Sequence, residues 1–309
     1  MGVNMSGIAI KNISKIKREN IPASLNLLQE KVFNCIGIKR NMWDVLGSTG
    51  KKPESGDIDI AMDITKLMYD EKEYAQKIEE RCNTLGWQVN NRMNTGFKML
   101  HIGLPIVGQE WEIAQVDLMT STDMKFTKFK YFAPSPEESK YKGSIRSMLI
   151  DSLLKYSTLS PAETAVDEDK QSYTTPDGKV YPYIHFQHLS LNTDGLIKME
   201  KTLRGKRGML SSPKKVNAEQ LTSNPQEIID ILFGKNTYTV SDFNSFESIW
   251  NNILMDPNFP YKNKLNDIVI GFIRLNKNNN SFQLDQNKLS LPDEVIQYCE
   301  KNNINIDDL

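Results

Sequence analysis

Little in this 309-residue chain belongs to a cysteine or histidine chemistry. It has three cysteines, Cys35, Cys82 and Cys299, with no CxxC spacing. That excludes a disulfide framework and a cysteine zinc site, and predicts free thiols in a reducing, cytoplasmic compartment. It has three histidines; His185 and His188 stand three apart with no third ligand nearby, which argues against a metal pair. No apolar run approaches the roughly 20 residues of a membrane span, so no membrane partner is expected. No charged-then-apolar leader is seen at the N-terminus. Met1 to Ser6 matches the M-G-x-x-x-S acylation pattern, a short motif that arises easily by chance. An excess of one charge is missing too. Thirty-eight basic residues face 39 acidic ones, for a net charge of −1. A globally basic nucleic-acid binder is excluded, though a local basic patch is not. At 39% hydrophobic and 25% charged residues, the chain can bury an ordinary core.

What is present is concentrated between Leu46 and Ile64, LGSTGKKPESGDIDIAMDI. Gly47 and Ser48 open a loop of turn formers and lysines, and Ser55-Gly56 lead into Asp57-Ile58-Asp59-Ile60. In a strand, Asp57 and Asp59 share one face while Ile58 and Ile60 take the other. Two carboxylates on a half-buried strand are costly unless a cation compensates them. A divalent ion such as Mg²⁺, held by carboxylates and substrate phosphates, supplies that compensation. The Gly47-Ser48 turn offers N–H groups and a hydroxyl to an anion. A later strand, within 110–119, carries Asp117 on one face with Ile113, Gln115 and Met119. Residues 98–106 read as the strand before it, with Val107-Gly108-Gln109 as the turn.

This pattern resembles the signature of the DNA polymerase β-like nucleotidyltransferase superfamily: Gly-Ser, a variable loop, Asp-x-Asp, then a third acid on a later strand. The matching residues are Gly47, Ser48, Ser55, Gly56, Asp57, Asp59 and Asp117, and the likeness covers roughly residues 43–119. It implies an α+β fold with a polymerase β palm-like mixed sheet, the Asp117 strand lying beside the Asp57–Asp59 strand. It also implies two Mg²⁺ or Mn²⁺ ions held by Asp57, Asp59 and Asp117, with a nucleoside triphosphate on Gly47, Ser48 and Ser55. One departure is that positions 49–51 are Thr-Gly-Lys, where many relatives carry an arginine close behind the serine. Lys51 or Lys52 would then serve phosphate as a point charge. Some superfamily members use a cation on a helix after the third acid, for which Arg146 and Lys142 are the candidates here.

The rest of the chain supports this centre. Residues 1–40 read as a helical support, with Leu25, Leu28, Val32, Phe33 and Ile36 at three-to-four spacing. Lys11, Lys15, Lys17 and Arg18 read as a solvated flank. Residues 41–157 read as the catalytic domain. Within it, 66–85 read as a helix burying Leu67, Met68, Tyr74, Ile78, Cys82 and Leu85. Residues 124–131 read as a strand with aromatics inward and lysines outward, or as a single-strand grip of charge and stacking. Residues 140–156 form a helix. Residues 158–216 read as a linker and hairpin region, turning at Pro176-Asp177-Gly178, with 198–215 an exposed basic element. From 217 the chain is expected to be mainly helical, with a polar turn at 277–280. The acceptor stays open: an RNA or DNA 3′ end, a small molecule, a protein, or none in a non-catalytic nucleotide binder.

Overall fold

The computed structural model describes residues 10–92, 99–161, 172–174, 180–206, 209–210, 215–281 and 290–309, with side chains over 10–92, 99–160, 186–200, 218–279 and 290–309. The acylation-like N-terminus and the turn at 176–178 lie outside the described residues.

Alternating apolar residues build a five-stranded mixed sheet. Its strands are β1 (Trp43–Val45), β2 (Asp57–Asp63), β3 (Val89–Asn91), β4 (Met99–Pro105) and β5 (Ile113–Ser121), in the order β1-β2-β5-β4-β3. β2 and β5 run parallel, with Asp57 beside Gln115 and Asp59 beside Asp117. The other pairs are antiparallel. A parallel pair needs a long crossover. Here it is supplied by helix α2 (Glu71–Thr84) and the β3-β4 strands. The face opposite the acids is dry: Ile58, Ile60, Val116 and Leu118 pack with helix α1 (Ile21–Leu28), Val32, Phe33, Tyr74, Ile78 and Cys82. Asp70 caps α2 by accepting from the N–H groups of Lys72 and Glu73 at 2.9 Å, so the helix starts later than the sequence suggests and leaves Met68 86% exposed.

A second core begins with α3 (Met124–Lys130) and α4 (Gly143–Thr158). It continues through α5 (Pro225–Phe233), α6 (Leu265–Ser281) and α7 (Asp293–Lys301). Ile145, Leu149, Leu153, Phe246, Trp250, Ile268 and Phe272 lie at its centre. Ser152 donates to the Ile268 carbonyl at 2.5 Å, tying α4 to α6. Three antiparallel strands flank it, with β7 (Leu196–Lys206) between β6 (Val180–Leu191) and β8 (Lys215–Thr222).

Four expectations change here. Residues 124–130 are helical, because Asp123 caps the segment through Lys125 and Phe126 N–H and Phe126 and Phe129 fall on one buried helical face. The basic stretch 198–206 is strand, paired on both sides over 198–202, and 215–222 is strand before the helices begin. Residues 277–280 continue α6 and form no turn. His188 is buried against Phe186, ring centroids 5.8 Å apart.

Candidate active site

The loop after β1 turns back sharply. Gly47 has φ +62°, and Thr49 N–H donates to Leu46 O at 3.3 Å. Thr49 Oγ1 then accepts from the Asp59 N–H at 3.1 Å, and Ser55 Oγ accepts from Gly50 N–H at 3.3 Å. The loop is thus stitched to the strand that carries the acids. Gly47 must be glycine for two reasons. Its φ is left-handed, and a Cβ would stand 2.8 Å from Asp59 Oδ2.

Asp57 and Asp59, one residue apart on β2, meet Asp117 from β5. Each offers an oxygen, and the three oxygens lie within 4.8 Å of one another. Burial raises both β2 carboxyls. Asp117 adds to this at Asp57, and burial, with Asp57 and Asp117 behind it, pushes Asp59 up to about 8. Carboxylates crowded this way share too much negative charge for their surroundings. An oxygen-seeking divalent cation is the group that fits such a donor set. The acidic triad could hold a metal ion, and Asp57, Asp59 and Asp117 would be its ligands.

Asp117 is oriented from behind. His101 stands opposite it across the β4-β5 pair. Its Nδ1–H donates to Asp117 Oδ1 at 2.8 Å, and Gln115 Nε2 donates to the same oxygen at 2.9 Å. Among the described residues no donor reaches Oδ2. The hairpin that sets His101 opposite Asp117 is centred on Gln109, eight residues from each, whereas the predicted turn, centred on Gly108, would have set His101 opposite Gln115.

The acids open into a cleft of about 820 Å³. Gly47, Ser48 and Lys52 form one rim. The strap 131–142, bridged to Gly47 at Phe132, and the part of α4 that carries Gly143, Ser144, Ser147, Met148 and Asp151 also line the cleft. The second core holds the strap. Ser139 Oγ donates to Glu247 Oε2 at 2.7 Å, and Lys140 N–H to Glu247 Oε1 at 3.1 Å. Tyr141 OH donates to Glu294 Oε2 at 2.5 Å, and the Lys140 ammonium lies 3.3 Å from Glu294 and 3.5 Å from Asp293. Lys140 and Lys142 both border the cleft.

Not every expected residue is there. Gly47, Ser48, Lys52, Asp57 and Asp59 border the cleft and Lys142 joins them, with Asp117 beside Asp59. Ser55 is buried and braces the loop. Lys51 turns away: its ammonium donates to Ala133 O at 2.5 Å and sits 4.3 Å over the Phe132 ring. Arg146 is fully enclosed. Its Nε donates to Phe243 O, its Nη1 to Lys130 O at 3.4 Å, and Phe129 and Phe132 stack around it. Burial with no carboxylate alongside lowers it to about 10. It is a cation of the interior, and Lys142, four residues earlier, faces the cleft instead. Arg18, read as a solvated flank, bonds the carbonyls of Lys51 and Lys52 at 2.5 and 3.1 Å and fixes the loop from outside. Asp63 stays out of the site, capping Thr65 at 3.1 Å and pairing with Lys66 at 2.8 Å.

Compared with known proteins, the chain matches no protein-family model and no curated protein.

Proposed function

We propose that this chain is a divalent-metal-dependent nucleotidyltransferase. The observation that carries the reading is the meeting of Asp57, Asp59 and Asp117 within 4.8 Å, beside a glycine-serine turn and under a cleft large enough for a nucleoside triphosphate. Asp57, Asp59 and Asp117 would hold the metal, Mg²⁺ or Mn²⁺, in two ions as the resemblance implies. Bound there, divalent ions make an attacking hydroxyl more acidic and offset the charge on the phosphates. The protein's own groups do the positioning. The Gly47-Ser48 turn offers donors to the β and γ phosphates, Lys52, Lys140 and Lys142 offset their charge, and the N-terminus of α4 faces the same end. In the transfer an acceptor oxygen bonds to the α-phosphorus while the bond from that phosphorus to the bridging oxygen breaks. Pyrophosphate leaves with the electron pair, and the hydroxyl proton passes to Asp117 or to water. The acceptor is a hydroxyl-bearing molecule, with an RNA or DNA 3′ end the first to test.

The test is pyrophosphate release from each of the four nucleoside triphosphates with Mg²⁺ or Mn²⁺, with and without RNA or DNA oligonucleotides. A double Asp57→Asn/Asp59→Asn variant serves as the blank. Oligonucleotide-dependent release absent from the blank supports terminal transfer. Release in wild type equal to that in the blank rejects the reading.

A further inference from the structure

One carboxylate in the cleft has no part in the metal site. Asp151 opens to the cleft from α4 and makes no hydrogen bond or ion pair with any described residue. Lys130 is close enough to act on it electrostatically, but the Lys130 ammonium donates to Asn192 O at 2.7 Å. A bare carboxylate repels phosphate. Whatever part of a ligand it meets must bring hydrogen-bond donors, since an ionised carboxylate only accepts.

Its place along the cleft narrows the choice. α4 starts against the strap, where a Cβ on Gly143 would stand 2.7 Å from the Ala133 Cβ, and neighbouring Phe132 bridges to Gly47. The helix therefore begins beside the phosphate cradle. Asp151 lies eight residues further on, about 12 Å along the axis. That is past a ribose hung from a phosphate at the cradle and within reach of the base it carries. Tyr131 borders the same space with an aromatic ring on which a base can stack.

Two adjacent carboxylate oxygens match a base edge with two adjacent donors. Guanine has one, in N1–H and the 2-amino group. Adenine and cytosine set a lone pair beside their single amino donor, and uracil sets carbonyls on both sides of its N–H. Resting on the nucleotide-transfer reading, we propose that Asp151 is the base-specificity residue of this cleft and that the nucleotide it takes is a guanine nucleotide, held bidentately through N1–H and the 2-amino group.

The experiment is calorimetric titration of the full chain with GTP, ITP, ATP, XTP and dGTP in the presence of Ca²⁺. It is repeated with Asp151→Asn, whose folding is checked by its melting curve. GTP should bind on the order of ten-fold or more tighter than ITP, which lacks the 2-amino donor, and than ATP. Asp151→Asn should abolish that preference and favour XTP, whose 2-carbonyl accepts from the new amide. Equal binding of GTP, ITP and ATP would overturn the Asp151 assignment while leaving nucleotide binding intact. A loss with dGTP larger than the loss with ITP would overturn it in favour of a ribose contact. Binding of no nucleotide at all would overturn it together with the proposed function beneath it.

Discussion

Gly47 and Asp59 face each other with no room for a side chain between them, a Cβ on Gly47 falling 2.8 Å from Asp59 Oδ2. The turn that would hold phosphates and the carboxylate that would hold metal are therefore set by one contact. In Gly47→Ala the backbone strains at φ +62° and Asp59 is displaced. We expect nucleotide-dependent pyrophosphate release to fall by about a hundred-fold, with a stability loss of roughly 1–3 kcal/mol. A variant as active as wild type would show that the contact does not position the carboxylate.

His101 should act on metal through Asp117. His101→Ala removes one of the two donors on Asp117 Oδ1 and lets the carboxylate turn. Loss of such an outer partner weakens metal affinity by about 10–100-fold, to be read by Mn²⁺ titration without nucleotide. His101→Asn, which keeps a donor, should recover part of the loss. Unchanged Mn²⁺ affinity in both variants would reduce His101 to packing.

The crowded acids make metal binding a stability measurement as well. At neutral pH, saturating Mg²⁺ or Mn²⁺ should raise the melting temperature, since a ligand at a hundred times its Kd adds about 2.7 kcal/mol. Asp57→Asn/Asp59→Asn should lose this response while melting at least as high as wild type without metal. A metal-induced shift that survives in the double variant would place the binding elsewhere.

Lys142 and Arg146 should separate cleanly. Lys142→Ala ought to raise the KM for triphosphate by about ten-fold, leaving the melting temperature nearly unchanged, because this side chain borders the cleft. Arg146→Met should do the reverse. It leaves the Phe243 carbonyl without its buried donor and costs roughly 2–4 kcal/mol of stability. The reverse pattern, a KM effect from Arg146 and a folding defect from Lys142, would reject this division.

Asp151 gives the metal-free protein a pH signature. Surrounding protein raises its carboxyl to about 6, against 3.8 for the free group, with Lys130 acting the other way. For an acid raised on folding, the stabilisation is complete below the unfolded value and is lost as pH rises through the folded one. Wild type should therefore lose stability relative to Asp151→Asn between pH 4 and 7, and the gap between their melting temperatures should widen upward through pH 6. A constant gap would mean that the carboxyl titrates alike in both states.

The centre of the site was readable from the chain because its signals are local. Period-two alternation set Asp57 and Asp59 on one face, and the same alternation around a turn at 107–109 put Asp117 on a hairpin. Their parallel juxtaposition then followed from the motif's resemblance. What escaped depends on contacts remote in sequence. Nothing near Arg146 announces that Phe243, 97 residues away, will enclose it, and nothing near Lys51 announces Ala133. The strand at 198–206 was hidden because its charged residues imitate a loop, and only pairing on both flanks reveals it. The helix at 124–130 was different. Asp123 and the Phe126/Phe129 spacing were helix signals in plain view, outweighed by the alternation of lysines with aromatics.

The bracing of the 131–142 strap by Glu247 and Glu294 sets an order of events during synthesis. The acids, the Gly47-Ser48 turn and the lysines of the strap all leave the ribosome early, but the groups that lock the strap are made 108 and 153 residues after their partners. A nascent chain that has folded its sheet has the three acids and the glycine-serine turn, with the strap not yet braced. The bracing is complete only when helix α7 docks, and a chain halted before residue 293 would hold its acids beside a strap held by Glu247 alone.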